Sequence, residues 1–230
     1  MTLEQALTAI AEQLNLDAAE LIGYAREDYF TGWDNGAGMF PIGSLFGMEG
    51  QILYALVRAL GATQVLELGT HVGASTAHIA LAMHKRNVGK VVSVDVQESA
   101  GGMIPDDLRA FVTLVHMDAA VYLDTVPDNS VHIIFEDLWH SSETCETVGR
   151  AAKRILAPGG LLIAHDAEHY VVGSNVRAGY DAAKIEYETY LIPPSDCGLL
   201  IAQPVANVNI TQVSTEPVKP KRTRKTRTAK

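Results

Sequence analysis

Two short stretches hold side chains whose types and spacing could do chemistry. Residues Ile133–Glu143 read IIFEDLWHSSE, and Gly159–His169 read GGLLIAHDAEH. Each is an apolar run that ends in polar donors, Asp137 and His140 in the first, His165 and Asp166 in the second. Two carboxylates with a neighbouring histidine form an oxygen-rich site for Mg²⁺, with Glu136 as an alternative donor. The same acids would serve equally as solvated helix caps without a metal. His140 stands three residues after Asp137 and is the candidate general base, since an unperturbed imidazole titrates at about pH 6.5. Its alternative is a polar contact at the start of a helix. A third stretch, Val65–Ser75, reads VLELGTHVGAS. A strand runs straight into Gly69 and a helix opens near Gly73, which turns main-chain N–H groups toward a ligand. The pyrophosphate fingerprint G-x-G-x-x-G is not met, because His71 occupies its second glycine position. Glu67 at the strand end would repel a diphosphate and attract a cation, by about 4 kcal/mol at ~4 Å and an effective dielectric near 20. Gly69 and Gly73 read also as plain turn and packing glycines.

Two further acids stand at the ends of apolar runs. Asp95 closes VVSVDV, where a carboxylate can accept hydrogen bonds from ribose hydroxyls. Asp118, in VHMDAA with Ala119, frames an adenine or caps a helix.

The elements that must position these residues alternate strand and helix. Strands are expected at 64–68, 91–95, 111–115, 131–135, 161–164, 189–192 and 199–202. Helices are expected at 48–60, 73–84, 119–123, 143–156 and 171–186, after two short N-terminal helices opened by Thr2 and Asp17 with the spacing of capping boxes. Continuous apolar strands joined by helices mean a sheet covered on both faces. The fold class is therefore α/β, a doubly wound, mostly parallel seven-stranded sheet with an antiparallel edge hairpin around Pro193–Gly198. In an open parallel sheet, ligands bind outside the carboxyl ends of the strands, so Asp137 and Asp166 meet at one mouth.

VLELGTHVGAS, VVSVDV and VHMDAA, in this order, resemble the motifs of class I S-adenosylmethionine-dependent methyltransferases over about residues 48–202. The resemblance implies that Glu67, Gly69, His71, Gly73 and Ser75 hold the methionine end of the cofactor, Asp95 its ribose, and Asp118 and Ala119 its adenine. MEGQILYALVRAL and FEDLWH are similar to segments of catechol-type O-methyltransferases. That likeness puts Asp137 at a metal aspartate, Trp139 beside the adenine and His140 where a catalytic lysine stands. His165 and Asp166 fall where that family carries an Asp-Asn metal pair. The D-x-x-H-S-x-E pattern of Asp137–Glu143 also resembles methyltransferases of macrolide-type sugars. The resemblance implies methyl transfer to a hydroxyl of a small molecule. A nucleotide-dependent oxidoreductase and a non-catalytic assembly protein are the alternatives. The [DNS]-P-P-[YFW] motif of amino-methylating nucleic-acid enzymes is absent after the fourth strand, which reads Glu136-Asp137-Leu138-Trp139.

Composition sets outer limits. The chain has 230 residues, 47% hydrophobic and 20% charged, which is ordinary for a globular protein. Its 18 basic and 27 acidic residues give a net charge of −9. Seven of the basic residues crowd into Lys219–Lys230, so the body is strongly acidic and does not look like a surface that grips nucleic acid. No apolar run is long enough to span a membrane. The first basic residue is Arg26, which fits neither a secretory signal nor a transit peptide. Cys145 and Cys197 form no C-x-x-C pair, so a reducing cytoplasm is expected. The chain divides into N-terminal helices with a Gly-rich lid loop (1–47), the cofactor-binding domain (48–204) and a disordered basic tail (205–230). The loop Thr31–Gly47, with Trp33, Met39 and Phe40, is a substrate lid, a homodimer contact or N-terminal packing. The tail is a tether, or it contacts nucleic acid or an acidic partner.

Overall fold

Both faces of the central strands are apolar, and helices accordingly cover both sides of one sheet. The computed structural model describes residues 1–27, 45, 47–193 and 195–205. Most of the Thr31–Gly47 loop and the basic tail beyond residue 205 lie outside the described residues.

Two N-terminal helices, α1 (Leu3–Leu14) and α2 (Ala18–Ala25), precede α3 (Gly47–Ala59). Thr2 and Gln5 cap α1 reciprocally, and the Asp17 side chain accepts the Glu20 N–H at the start of α2. The alternating part then runs β1 (Gln64–Leu68), α4 (Ala74–Arg86), β2 (Lys90–Asp95), a 3-10 turn (Asp106–Phe111), β3 (Val112–His116), α5 (Ala119–Thr125), β4 (Val131–Glu136), α6 (Ser142–Ile155), β5 (Leu156–Ala164), α7 (Gly173–Ala182), β6 (Tyr187–Tyr190) and β7 (Leu199–Ala202). The sheet order is β3-β2-β1-β4-β5-β7-β6. Strands β1 to β5 are parallel, and β7 runs antiparallel between β5 and β6.

The period of two along each strand divides the core. Ile133, Phe135, Leu161 and Ile163 pack under α1 to α4, while Ile134, Leu162 and Ala164 pack under α5 to α7. No helix among the described residues is long and apolar enough to cross a membrane.

Several boundaries differ from the sequence reading, among them the start of β5 at Leu156 instead of Leu161. Helix α7 stops at Ala182 because Lys184 turns into the left-handed region (φ 56°). The sixth strand therefore begins earlier, at Tyr187, paired with Ala202. Phe111 ends a 3-10 turn instead of opening β3.

Helices α6 and α7 touch where Gly179 has no side chain. A Cβ there would lie 2.4 Å from the Ser142 carbonyl oxygen and 2.5 Å from the Cys145 Cβ. Alanine gains helix propensity of about 1 kcal/mol over glycine, whereas overpacking against backbone costs about 1–3 kcal/mol. Gly179→Ala should therefore lower the melting temperature by a few degrees. A rise would show that this helix pair has slack.

Candidate functional site: one mouth shared by a loop and a cluster

Strand register builds the site. Leu68 of β1 is level with Glu136 of β4, and Glu136 with Ala164 of β5. The next residues, Gly69, Asp137 and His165, therefore stand side by side at the carboxyl edge. The strand order reverses between β1 and β4, which is the switch point where such sheets bind ligands. Main-chain bonds tie the three exits together. Asp137 N–H donates to the Leu68 carbonyl (2.8 Å), and His165 N–H to the Glu136 carbonyl (2.9 Å). Gly69 has φ 95°, and a Cβ on it would lie 2.1 Å from the Asp137 carbonyl oxygen. Gly73 has φ 96° and packs against Ile104. The missing side chains of both glycines thus make room for the protein's own chain.

On one side of Asp137 lies a cleft of about 360 Å³, lined by Gly69, His71, Asp95, Ala119, Asp137 and Trp139 among others. Trp139 is 89% exposed at its rim. Asp95 organises the glycine loop: its Oδ2 accepts from the N–H groups of Thr70 (3.0 Å) and His71 (2.9 Å), and its Oδ1 from Gln97 (2.8 Å). His71 sits at φ 47°, a conformation that costs a residue with a Cβ some strain. Helix α4 opens behind the loop with Gly73 at its N-cap and no side-chain cap. Ser75 lines a small recess between the loop, Leu45 and Asp137.

Two expected cofactor acids point elsewhere. Glu67 is fully buried and accepts the hydroxyls of Ser75 and Thr76, bracing β1 to α4. Burial pushes its pKa up to about 7, against the pull of these hydroxyls. The Asp118 carboxylate caps α5 by accepting the Val121 N–H (3.1 Å), and its neighbours Met117 and Ala119 line the cleft.

On the other side of Asp137 lies an acid–imidazole cluster. His140 Nε2 is 3.0 Å from Asp166 Oδ2 and 3.5 Å from Asp137 Oδ1. His165 Nδ1 is 3.4 Å from Asp137 Oδ1 and 3.4 Å from Asp166 Oδ1. Asp166 holds φ 58°, which turns its side chain back over the mouth. Burial opposes charge throughout the cluster, but the pairing outweighs it. His165 and His140 hold Asp137 well below the ordinary carboxylate range, and Asp137 and Asp166 push His140 up to about 12. Donor atoms of Asp137, His140 and Asp166 are close enough to share one ion, as are those of His165, Asp166 and Cys197. Glu136 lies beneath. Its carboxylate accepts from Tyr180 Oη–H (2.9 Å) and Leu138 N–H (3.0 Å), which favours a supporting place over that of a ligand.

Glu49 on α3 is the residue that sequence reasoning missed. It is buried and meets His165 Nε2 at 3.2 Å, while Ser195 Oγ–H donates to its other oxygen (2.7 Å). The available signal was a lone acid amid the apolar face of α3.

The titration of Glu67 has a sign that can be checked. Between its ordinary pKa of 4.5 and about 7, the folded protein keeps a proton that the unfolded chain releases. Stability therefore falls as pH rises through that window, by up to about 3 kcal/mol. Glu67→Gln retains an acceptor without ionising, so its stability between pH 5 and pH 8 should decline less than the wild type's in urea unfolding. Parallel curves would remove Glu67 as the source.

Residues 66–167 match a family model described as a methyltransferase domain. No curated protein sequence matches the chain. Solved structures share the fold. The O-methyltransferase TomG from Streptomyces achromogenes, involved in tomaymycin synthesis and solved with S-adenosylmethionine, is 17% identical, with a TM-score of 0.58 over 85% of this chain and 99% of that one. An O-methyltransferase from Bacillus cereus, in complex with S-adenosylhomocysteine, is 17% identical, with a TM-score of 0.55 over 85% and 96%. Cofactor-bound Rv0187 from MTB is 18% identical, with a TM-score of 0.58 over 81% and 90%. The family match is to methyl transfer and not to hydride transfer. Over residues 66–167, which include the glycine loop at the switch point of this sheet, the chain is similar to a methyltransferase domain.

Proposed function

We propose that this protein transfers the methyl group of S-adenosylmethionine to a hydroxyl oxygen of a small molecule, with a divalent cation at Asp137, His165 and Asp166. The observation that carries this reading is the double membership of Asp137, which lines the nucleoside-sized cleft and belongs to the acid–imidazole cluster. An acceptor held at the cluster would therefore abut a cofactor held in the cleft. Two carboxylates and a buried imidazole nitrogen without a hydrogen bond are a donor set that fits a divalent cation, Mg²⁺ in the sequence reading. Such a cation, when bound, lowers the pKa of a coordinated hydroxyl.

The chain's own residues do the remainder. Gly69, His71, Asp95, Ala119 and Trp139 bind and orient the cofactor. Fixing the two reactants in line can remove ~7–11 kcal/mol of barrier. His140 is the proton acceptor. Without a cation, Asp137 and Asp166 hold it as imidazolium; engaging those carboxylates elsewhere would let it release that proton to solvent, and the neutral imidazole could then accept the proton of the acceptor hydroxyl. The unit spanning 48–204 houses this chemistry, and the basic segment 219–230 serves as an electrostatic tether. Free Cys145 and Cys197 support a reducing, cytoplasmic setting.

Trp139→Ala should weaken S-adenosylmethionine binding by roughly 5- to 150-fold in calorimetry, in keeping with about 1–3 kcal/mol for stacking a base on an aromatic ring. Unchanged affinity would take Trp139 out of the cleft's function. In a methyl-release assay across phenols, sugars and nucleosides, EDTA should abolish turnover, and Asp137→Ala and Asp166→Ala should mimic it. Full activity in chelator would discard the cation. His140→Ala should slow turnover by about 10²–10⁴-fold with cofactor affinity within a few fold of the wild type.

A further inference from the structure

We infer that the cation site is a mixed nitrogen–oxygen centre, in which His165 Nδ1 is a ligand oriented by Glu49, and that it selects a divalent transition ion over Mg²⁺. The inference rests on the reading of this cluster as a cation site and adds which ion and which positioning residue.

The His165 side chain is 5% exposed, and its Nδ1 is buried without a hydrogen bond. A polar atom left so costs about 1–3 kcal/mol, which is retained only where something else uses it. Nδ1 is equidistant, at 3.4 Å, from Asp137 Oδ1 and Asp166 Oδ1. Donors that share one ion at ~2.1 Å stand roughly 3.0 Å apart at octahedral angles and roughly 3.4 Å apart at tetrahedral ones. His165 Nδ1 thus stands from each oxygen at the distance of one ligand from another on a shared ion. Asp166 divides its labour, with Oδ2 toward His140 and Oδ1 toward His165.

The far side of the imidazole fixes its role. Nε2 lies 3.2 Å from Glu49 Oε2, and Glu49 is itself held by Ser195. A carboxylate behind a histidine keeps the proton on the rear nitrogen, leaves the front lone pair for a metal and fixes the ring plane. Imidazole suits borderline transition ions, whereas Mg²⁺ favours carboxylate, carbonyl and water oxygens. An all-oxygen pair at 165 and 166 would lack this preference.

The test is cation binding to the full chain, with no turnover involved. In the wild type, Co²⁺ should bind at least 100-fold more tightly than Mg²⁺ in competition calorimetry, with visible d–d absorption. His165→Asp offers oxygen for nitrogen and adds a carboxylate to the cluster, which strengthens both ions alike, and should cut the Co²⁺/Mg²⁺ affinity ratio at least tenfold. Glu49→Gln should weaken Co²⁺ by about 10–100-fold with the spectrum retained at saturation. An equal ratio in wild type and His165→Asp overturns the inference while leaving a cation site standing. No binding of either ion to the wild type overturns the cation reading with it. Should His165→Asp fail to fold, pulsed EPR of Mn²⁺ on His140→Ala decides, since it removes the other imidazole that could share the ion: coupling to an imidazole nitrogen is expected, and oxygen-only coupling refutes the assignment.

Discussion

The Asp137 carbonyl occupies the space a side chain on Gly69 would need, and that close approach welds the exit of β1 to the exit of β4. It is possible only because these strands are neighbours in register at the point where the sheet order reverses. One residue then serves two neighbourhoods, its flank turned to the cleft and its carboxylate to the imidazoles. Moving Asp137 outward by the width of a methyl group would separate them. The remaining features hold this junction still: Asp95 fastens the loop on one side, and Glu49 and Ser195 fasten His165 on the other.

Electrostatics imposes a second constraint. Four carboxylates, of Glu49, Glu136, Asp137 and Asp166, crowd around two imidazoles in surroundings largely closed to water. Buried charge is tolerated only when matched. Protons on the histidines supply the match in the cation-free protein. Under the proposed cation reading, an ion entering such a site would displace protons, which would tie its occupancy to the protonation of His140.

Much of this was legible from local pattern. Strands β1 and β7 fall on the residues that continuous apolar runs single out, and strand ends place acids and histidines at the mouth because parallel sheets share one carboxyl edge. What stayed hidden depends on side-chain direction and long-range packing. Glu67 ends a strand, yet its side chain points into α4 and not outward. Asp118 resolves into a cap, since its carboxylate is captured three residues on. Glu49 is 116 residues from His165 in the chain, and no local signal pairs them. The early start of β6 follows from one left-handed lysine, a conformation that composition does not announce.

Under the proposed reading of the cleft, Asp95 has a consequence for nucleoside discrimination. A carboxylate offers about four acceptor positions, and three backbone N–H groups already fill three of them on Asp95. A sugar diol brought to it finds a single vacancy. One hydroxyl can be read by this acid, and its partner must turn to main chain or solvent. The pocket should therefore tell 2′-deoxy from 3′-deoxy analogues, because it addresses the two edges of the sugar unequally.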